Sequence, residues 1–316
     1  IMKINELFKH RSVTSCMNDA YNLMTDNLKD LVKNTWVAVL PEAILTALFV
    51  YLRTPNKLLH DWGEGNPITS FFLQSVVYVC LIVATIVAGA ILWRWVTDKP
   101  FAHSLKRYTL AAICSYAFAF VVAFVVLFGL IILGAVMGLS FGEPAAGSGS
   151  ASPANIAIMA LLVLLTCIIF FLLFMPLAYI VPRYMLLDKG KGLHLWKSYK
   201  TGFRHSGAIF KMGFLGGLLL IVCNVVLSIP MSIITGAQIF SQLGVLDGDA
   251  AGVPGYFTPL YLIVSTIVFF VYFYMTAWLL ISYIYLYGSI ESDEKEKAEL
   301  TAGNNWLPEA SEKIEK

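Results

Sequence analysis

The sequence predicts an all-α, polytopic membrane protein, and three observations lead to that fold class. Of the 316 residues, 58% are apolar and only 13% are charged, which is about half the charged share of an average soluble domain. The mean hydropathy is +0.74. Six apolar stretches are each long enough to cross a hydrocarbon layer of about 30 Å. A soluble protein of this size would need polar surface that the sequence does not provide.

The six predicted spans follow an amphipathic N-terminal segment, residues 1–34, which does not cross the membrane. Its apolar residues, among them Met17, Ala20 and Met24, recur at three- and four-residue steps and predict one apolar helix face. The transmembrane domain covers residues 35–288, with spans at 36–52, 70–93, 108–139, 155–187, 208–240 and 257–288. The charged tail, residues 289–316, is expected to be disordered.

Basic residues predict the orientation, because Lys and Arg near membrane ends are retained on the cytoplasmic side. The N-terminal segment, the loop Arg94–Arg107, the stretch Arg183–Lys211 and the tail carry 20 of the 22 basic residues. The three alternate loops carry only Arg53 and Lys57. Both termini are therefore expected in the cytoplasm, with the protein a multi-pass component of a bacterial inner membrane.

Cytoplasmic amphipathic segments are expected at residues 12–33, Phe101–Arg107 and Leu193–His205, each ahead of a pair of spans. The third has aromatic residues on one face and cations on another. Aromatic rings at headgroup depth beside cations suit an anionic lipid surface. The predicted lipid-headgroup contacts are Trp196, Lys197, Lys200 and Arg204 in this segment, with Arg94 and Arg183 at the ends of other spans.

The run Leu195-Trp196-Lys197-Ser198-Tyr199-Lys200-Thr201-Gly202-Phe203-Arg204 leads directly into a Gly-rich span. It resembles the basic-aromatic entry segments of a loose group of bacterial six-helix membrane proteins. That group includes the membrane portion attached to some glycerophosphodiester phosphodiesterases. The resemblance is one of architecture over residues 12–290, and this run is its only motif. It implies the six-helix fold but not phosphodiesterase activity, because the sequence shows no such catalytic domain.

Glu42 is the one charged residue that lies within a predicted span and away from its ends, roughly 9 Å from the start of the first span. A charged group at that depth is costly unless it is paired or faces a polar interior. With Pro41 beside it, Glu42 resembles a proton or cation relay point. The alternative is that Glu42 lies near the headgroups and forms an ion pair with a basic residue. The candidate partners for that pair are Lys33, Arg94 and Arg183.

Three other polar residues complete the candidate proton, cation or substrate site. Asn224 lies in the middle of the fifth span, where an interhelical hydrogen bond is the expected role. Tyr272 and Tyr274 lie deep in the sixth span and are candidates to line a lipid or apolar-substrate cavity. Small residues such as Gly213 and Gly217 let helices approach closely. They predict packing within the monomer or, alternatively, contact with a partner membrane protein or a second copy.

No catalytic motif, metal-ligand spacing or cofactor motif is found in the sequence. The five cysteines are scattered singly, so neither a metal site nor a disulfide is expected. Nucleic-acid binding is not expected, because no folded cytoplasmic domain is predicted. The sequence therefore predicts a non-enzymatic protein without a cofactor.

The function that we expect is that of a membrane-organising or accessory subunit contacting anionic lipids or partner helices. The alternative is a small transporter or lipid-handling carrier with a polar path through the bundle. An intramembrane enzyme is a third class, and it lacks a recognisable nucleophile, base or metal set. A shared cavity at Glu42 and Asn224 would favour the carrier, and separate surroundings would favour the accessory protein.

Overall fold

The computed structural model describes residues 4–53, 67–136, 153–186, 194–246 and 256–304, and all regular structure in these ranges is helical. In chain order the helices are α1 (Ile4–Leu7), α2 (Val13–Asp26), α3 (Leu28–Arg53), α4 (Pro67–Thr97), α5 (Phe101–Val136), α6 (Pro153–Phe174), α7 (Leu177–Leu186), α8 (Leu195–Arg204), α9 (Ser206–Leu246) and α10 (Phe257–Asn304). Six helical segments of the described chain, with α6 and α7 counted as one, are long and apolar enough to cross a membrane. The protein is an all-α polytopic membrane protein, as the sequence predicts.

The N-terminal segment, residues 1–34, contains α1, α2 and the first turns of α3 instead of a single helix. The Ser12 hydroxyl accepts a hydrogen bond from the backbone N–H of Ser15 (3.2 Å) and so caps the start of α2. The helix is interrupted at Asn27, and α3 begins at Leu28. The helix that contains the first predicted span therefore starts before residue 36, and its first turns, with the buried residues Leu31 and Thr35, pack against protein.

The fourth predicted span, residues 155–187, is broken in the structure. Helix α6 ends at Phe174 and α7 begins at Leu177. Pro176, which lies between them, is fully buried and has no backbone N–H to donate to the preceding turn. Pro182 in α7 and Pro230 in α9, by contrast, lie within continuous helices.

The sixth span differs from its prediction at the C-terminal end, because α10 continues past residue 288 to Asn304. Residues 289–304 are therefore helical, whereas the sequence predicts a disordered tail from residue 289. Contact with the N-terminal segment explains the continuation: Ser289 and Ile290 are buried, and Gly288 lies against Leu7. The remaining tail, residues 305–316, lies outside the described residues.

Of the three predicted amphipathic segments, the first, residues 12–33, divides between the separate helix α2 and the first turns of α3. The third forms a separate short helix. It is α8, Leu195–Arg204. The second, Phe101–Arg107, is continuous with α5. A helix that enters the membrane without a break has no independent surface segment.

The chain divides into two compact units, which we describe separately. Unit 1 contains Ile1–Tyr108 and Lys211–Lys316, and unit 2 contains Thr109–Phe210. In unit 1, α3 packs against α4 and α10, and α2 packs against α10. Ala43 and Ala47 of α3 are fully buried and let these helices approach closely. In unit 2, α7 packs against α8.

Candidate functional site

Helix α8 presents a polar and aromatic surface because it buries only its small residues. Ser198 is 1% exposed and Gly202 is buried, whereas Trp196 is 83% exposed. Four predicted headgroup contacts, Trp196, Lys197, Lys200 and Arg204, are all on the exposed side of the helix. Leu195 and Phe203 are exposed beside them. The ring and cation pattern predicted from the sequence is therefore displayed on one short helix.

The buried side of α8 is fixed on the break between α6 and α7. A methyl group at position 202 would lie 3.1 Å from the Cα atom of Pro176, so only glycine allows this approach without displacement. The hydroxyl of Tyr199 donates a hydrogen bond to the carbonyl oxygen of Leu173 (3.2 Å). Partial burial raises the pKa of Tyr199 above its ordinary value. These contacts hold α8 in one orientation.

The charged residues in the described part of unit 2 are all basic. That part contains no Asp or Glu, and its Arg and Lys residues are Arg183, Lys197, Lys200 and Arg204. A surface of one sign attracts ligands of the opposite sign. The described residues of this unit therefore favour an anion beside α8.

Two predicted headgroup contacts lie on helices other than α8. Arg183, on α7, is half-buried, and its guanidinium donates a hydrogen bond to the hydroxyl of Tyr179 (2.9 Å). Arg94 belongs to unit 1 and is exposed on the last turn of α4. The strongest grouping of predicted contacts is therefore the one on α8.

Glu42 lies near the middle of α3 and is half-buried. It shares one stripe of the helix with Thr35 and Thr46, at spacings of seven and four residues. The hydroxyl of Thr46 donates to the backbone carbonyl oxygen of Glu42 (2.8 Å). No basic side chain among the described residues of unit 1 forms an ion pair with Glu42, so the predicted pairing with Lys33 or Arg94 is not formed.

The other three residues of the candidate proton or substrate site are not gathered around Glu42. The hydroxyl of Tyr274 lies 2.9 Å from that of Thr35, about two turns along α3 from Glu42. Tyr272, two residues earlier on α10, is half-buried on another side of that helix. Asn224 is exposed on α9, without a hydrogen-bond partner among the described residues. Glu42 and Asn224 therefore have separate surroundings.

A polar cluster around Arg11 was not expected from the sequence. The Arg11 guanidinium pairs with Asp19 (2.7 Å), donates to the carbonyl oxygens of Leu7 and Glu6, and lies over the Tyr285 ring (5.0 Å to its centroid). Its backbone N–H donates to the hydroxyl of Ser289 (3.0 Å), which in turn donates to the carbonyl oxygen of Arg11 (3.0 Å).

This cluster fastens α1 and α2 to the C-terminal half of α10. The only local signal for it in the sequence is Ser12, whose capping position puts Arg11 just ahead of a helix and within reach of Asp19. The contacts with Tyr285 and Ser289 join residues far apart in the sequence, which local patterns do not reveal.

Comparisons with known proteins give no relative for this fold or site. No protein-family model matches the sequence, and neither a curated protein nor a solved structure matches it. The resemblance to the membrane portion attached to some glycerophosphodiester phosphodiesterases therefore stays a prediction. The function of the protein is therefore inferred from its own residues.

Proposed function

We propose that this protein is a non-enzymatic accessory protein of the inner membrane that binds anionic phospholipids through α8. The observation that carries the proposal is the burial pattern of this helix. Its small residues face the protein, while Trp196 and the cations Lys197, Lys200 and Arg204 face outwards. Trp favours the membrane–water interface, and each basic residue near an anionic surface contributes about 1 kcal/mol.

The surfaces of three spanning segments support the accessory part of the proposal. In the most apolar 18-residue window of α9 none of the residues is buried, and in the corresponding window of α5 only 6% are. The window in the segment formed by α6 and α7 is 11% buried. Such faces are suited to lipid chains or to the helices of partner membrane proteins.

The inner membrane and the cytoplasmic location of both termini belong to the same proposal. They are supported by the distribution of Lys and Arg, with 20 of 22 on one set of loops and ends. With this orientation, α8 lies on the cytoplasmic side, where anionic headgroups provide a negative surface potential.

The carrier alternative receives less support from the structure. It requires a polar path on which Glu42 and Asn224 meet, and these residues have separate surroundings. Tyr274 is engaged with Thr35 in the packing of α3 against α10. The accessory protein is therefore the function that the geometry favours.

The proposal is tested with the full-length protein in nanodiscs of phosphatidylcholine containing a minor fraction of phosphatidylglycerol. The protein is extracted in mild detergent, and the ratio of the two lipids that remain bound is measured by mass spectrometry. The triple variant Lys197→Gln, Lys200→Gln, Arg204→Gln should lose about 3 kcal/mol of headgroup attraction, or roughly a hundredfold in relative affinity for the anionic lipid.

The matched control is Lys29→Gln, Lys33→Gln, Lys297→Gln, which removes the same charge from exposed positions of unit 1. It should retain the enrichment of phosphatidylglycerol. An equal loss in both triple variants would show a general charge effect and contradict the proposal. Unchanged enrichment in the α8 variant would contradict it as well.

A further inference from the structure

An apolar groove of about 640 Å³ lies in unit 2, immediately next to the end of α8. Its walls come from one face of α6 and from the first turn of α9. The volume is within the range of about 300–1,000 Å³ that is typical of small-molecule sites. The residues that line the groove include Cys167, Phe171, Met175, Ser206, Gly207 and Phe210.

The groove is adjacent in sequence and in space to the cationic end of α8. Ser206 and Gly207, which line the groove, follow Arg204 after a single intervening residue, His205. Met175, at the other wall, directly precedes Pro176, against which Gly202 of α8 is packed. One end of the groove therefore lies at the level of α8.

The length of the groove distinguishes between its conceivable occupants. From Cys167 in α6 to Met175, just after the end of that helix, the lining extends over about 12 Å at the helical rise per residue. One leaflet of the hydrocarbon layer is about 15 Å deep, half of the full thickness. A partner helix that crosses the membrane would need a complementary face about twice as long. The dimensions therefore match a lipid chain that starts at the headgroup level and ends near the midplane.

We propose that this groove holds an acyl chain of the anionic phospholipid whose headgroup is bound by α8. The inference rests on the proposed function, because the charge of α8 selects the lipid and the groove fixes its chain. The rings of Phe171 and Phe210 meet edge to face, with 5.8 Å between their centroids, and provide an apolar wall. The occupant is thus a membrane lipid bound at a defined place, in contrast to lipid exchanging freely along the surface.

Gly207 keeps the groove open and provides a variant that is expected to fold. A Cβ atom at this position would meet nothing within 4 Å, so the side chain of Gly207→Leu begins in open space beside the groove. Gly217→Leu is the matched control. It lies on the same helix, its Cβ atom would also meet nothing within 4 Å, and it does not line the groove.

Native mass spectrometry of the delipidated full-length protein counts the phosphatidylglycerol molecules that stay bound. The wild type and Gly217→Leu should retain one molecule, and Gly207→Leu should lower the retained fraction by roughly tenfold. If Gly207→Leu retains phosphatidylglycerol and the α8 triple variant loses it, the lipid chain does not bind in the groove, and the proposed function is unaffected. Retention in both would overturn the proposed function and the groove with it.

A second measurement does not depend on the folding of Gly207→Leu. Cys167 is exposed in the groove, and Cys16 is buried. After replacement of Cys80, Cys114 and Cys223 by Ala, a bimane fluorophore on Cys167 reports the local lipid. Phosphatidylglycerol with brominated chains should quench it more strongly than brominated phosphatidylcholine at the same mole fraction. Equal quenching by the two lipids would contradict a selective site.

Discussion

Tyr274 shows at the scale of one residue how a polar side chain is accommodated between α3 and α10. Its hydroxyl and that of Thr35 are 2.9 Å apart, and Thr35 also donates to the carbonyl oxygen of Leu31 (2.7 Å). The Tyr274→Phe variant removes the bond between the helices and should lower the free energy of unfolding by about 0.6–1.5 kcal/mol. Steric trapping or thermal unfolding in detergent measures this loss.

Tyr272→Phe is the control for this prediction. Tyr272 is half-buried on the same helix and has no hydrogen-bond partner among the described residues. Its removal should leave the stability within about 0.5 kcal/mol of the wild type. Equal losses in the two variants would show that the Thr35 bond does not contribute.

Cys16 gives the N-terminal helix a pH dependence at alkaline pH. The thiol is fully buried in α2, and burial raises its pKa from 9.0 to about 11. Between these values the unfolded chain has lost the proton and the folded chain has kept it. The folded state therefore loses stability as the pH rises, on the order of 1 kcal/mol at pH 10. The difference between wild type and Cys16→Ala, followed by thermal unfolding from pH 8 to pH 11, isolates this contribution from Tyr and Lys. A constant difference over this range would be inconsistent with it.

At the scale of elements, the packing of α8 against the break between α6 and α7 depends on Gly202. The first side-chain atom at this position would already lie 3.1 Å from the backbone of Pro176, and a backbone atom has little freedom to move away. We expect Gly202→Leu to displace α8 and to destabilise the protein by about 1–3 kcal/mol. Hydrogen exchange of the amides in α8 should become faster.

Gly129→Leu provides the comparison, because a Cβ atom on this residue of α5 would meet nothing within 4 Å. Its α8 amides should exchange at the wild-type rate. Wild-type exchange in Gly202→Leu as well would mean that the close approach to Pro176 does not position α8.

The ends of the elements show where sequence patterns stop being informative. Hydropathy locates the apolar middle of each span but not the turns that protein contacts add to it. The start of α3 at Leu28 depends on the burial of Leu31 and Thr35, and the extension of α10 depends on Ser289 and the Arg11 cluster. The face of α8, in contrast, is predicted well because its periodicity is local.

At the scale of the whole molecule, an even number of spans predicts both ends on one side of the membrane. We expect alkaline phosphatase to be active when fused after Lys57 or Ser148, and green fluorescent protein to be fluorescent when fused after Lys99, Lys189 or the last residue. The reason is the retention of Lys and Arg in the cytoplasm. Active phosphatase after Lys99 would contradict the predicted orientation.

The fold class could be predicted from the apolar composition together with the six long apolar stretches, because only a membrane provides suitable surroundings for so many apolar residues. The candidate site followed only in part. The pattern of charged and aromatic residues on α8 can be predicted because it lies within ten consecutive residues. The surroundings of Glu42, Asn224 and Tyr274 depend instead on which helices are neighbours. A sequence does not specify how helix faces are turned towards one another, so the separation of these residues required the structure.

The bonds between Arg11 and Ser289 also constrain the order of events during synthesis. The two residues are 278 positions apart, and at 5–20 residues per second the ribosome needs roughly 15–55 s to pass from one to the other. Until α10 is complete, α2 cannot pack against it. The apolar side of α2, which contains Ala20 and Met24, is therefore not yet buried against α10. An amphipathic helix can bury such an apolar side in the surface of the bilayer. We therefore expect the N-terminal helix to lie first on the membrane surface and to pack into the protein once the last helix is inserted.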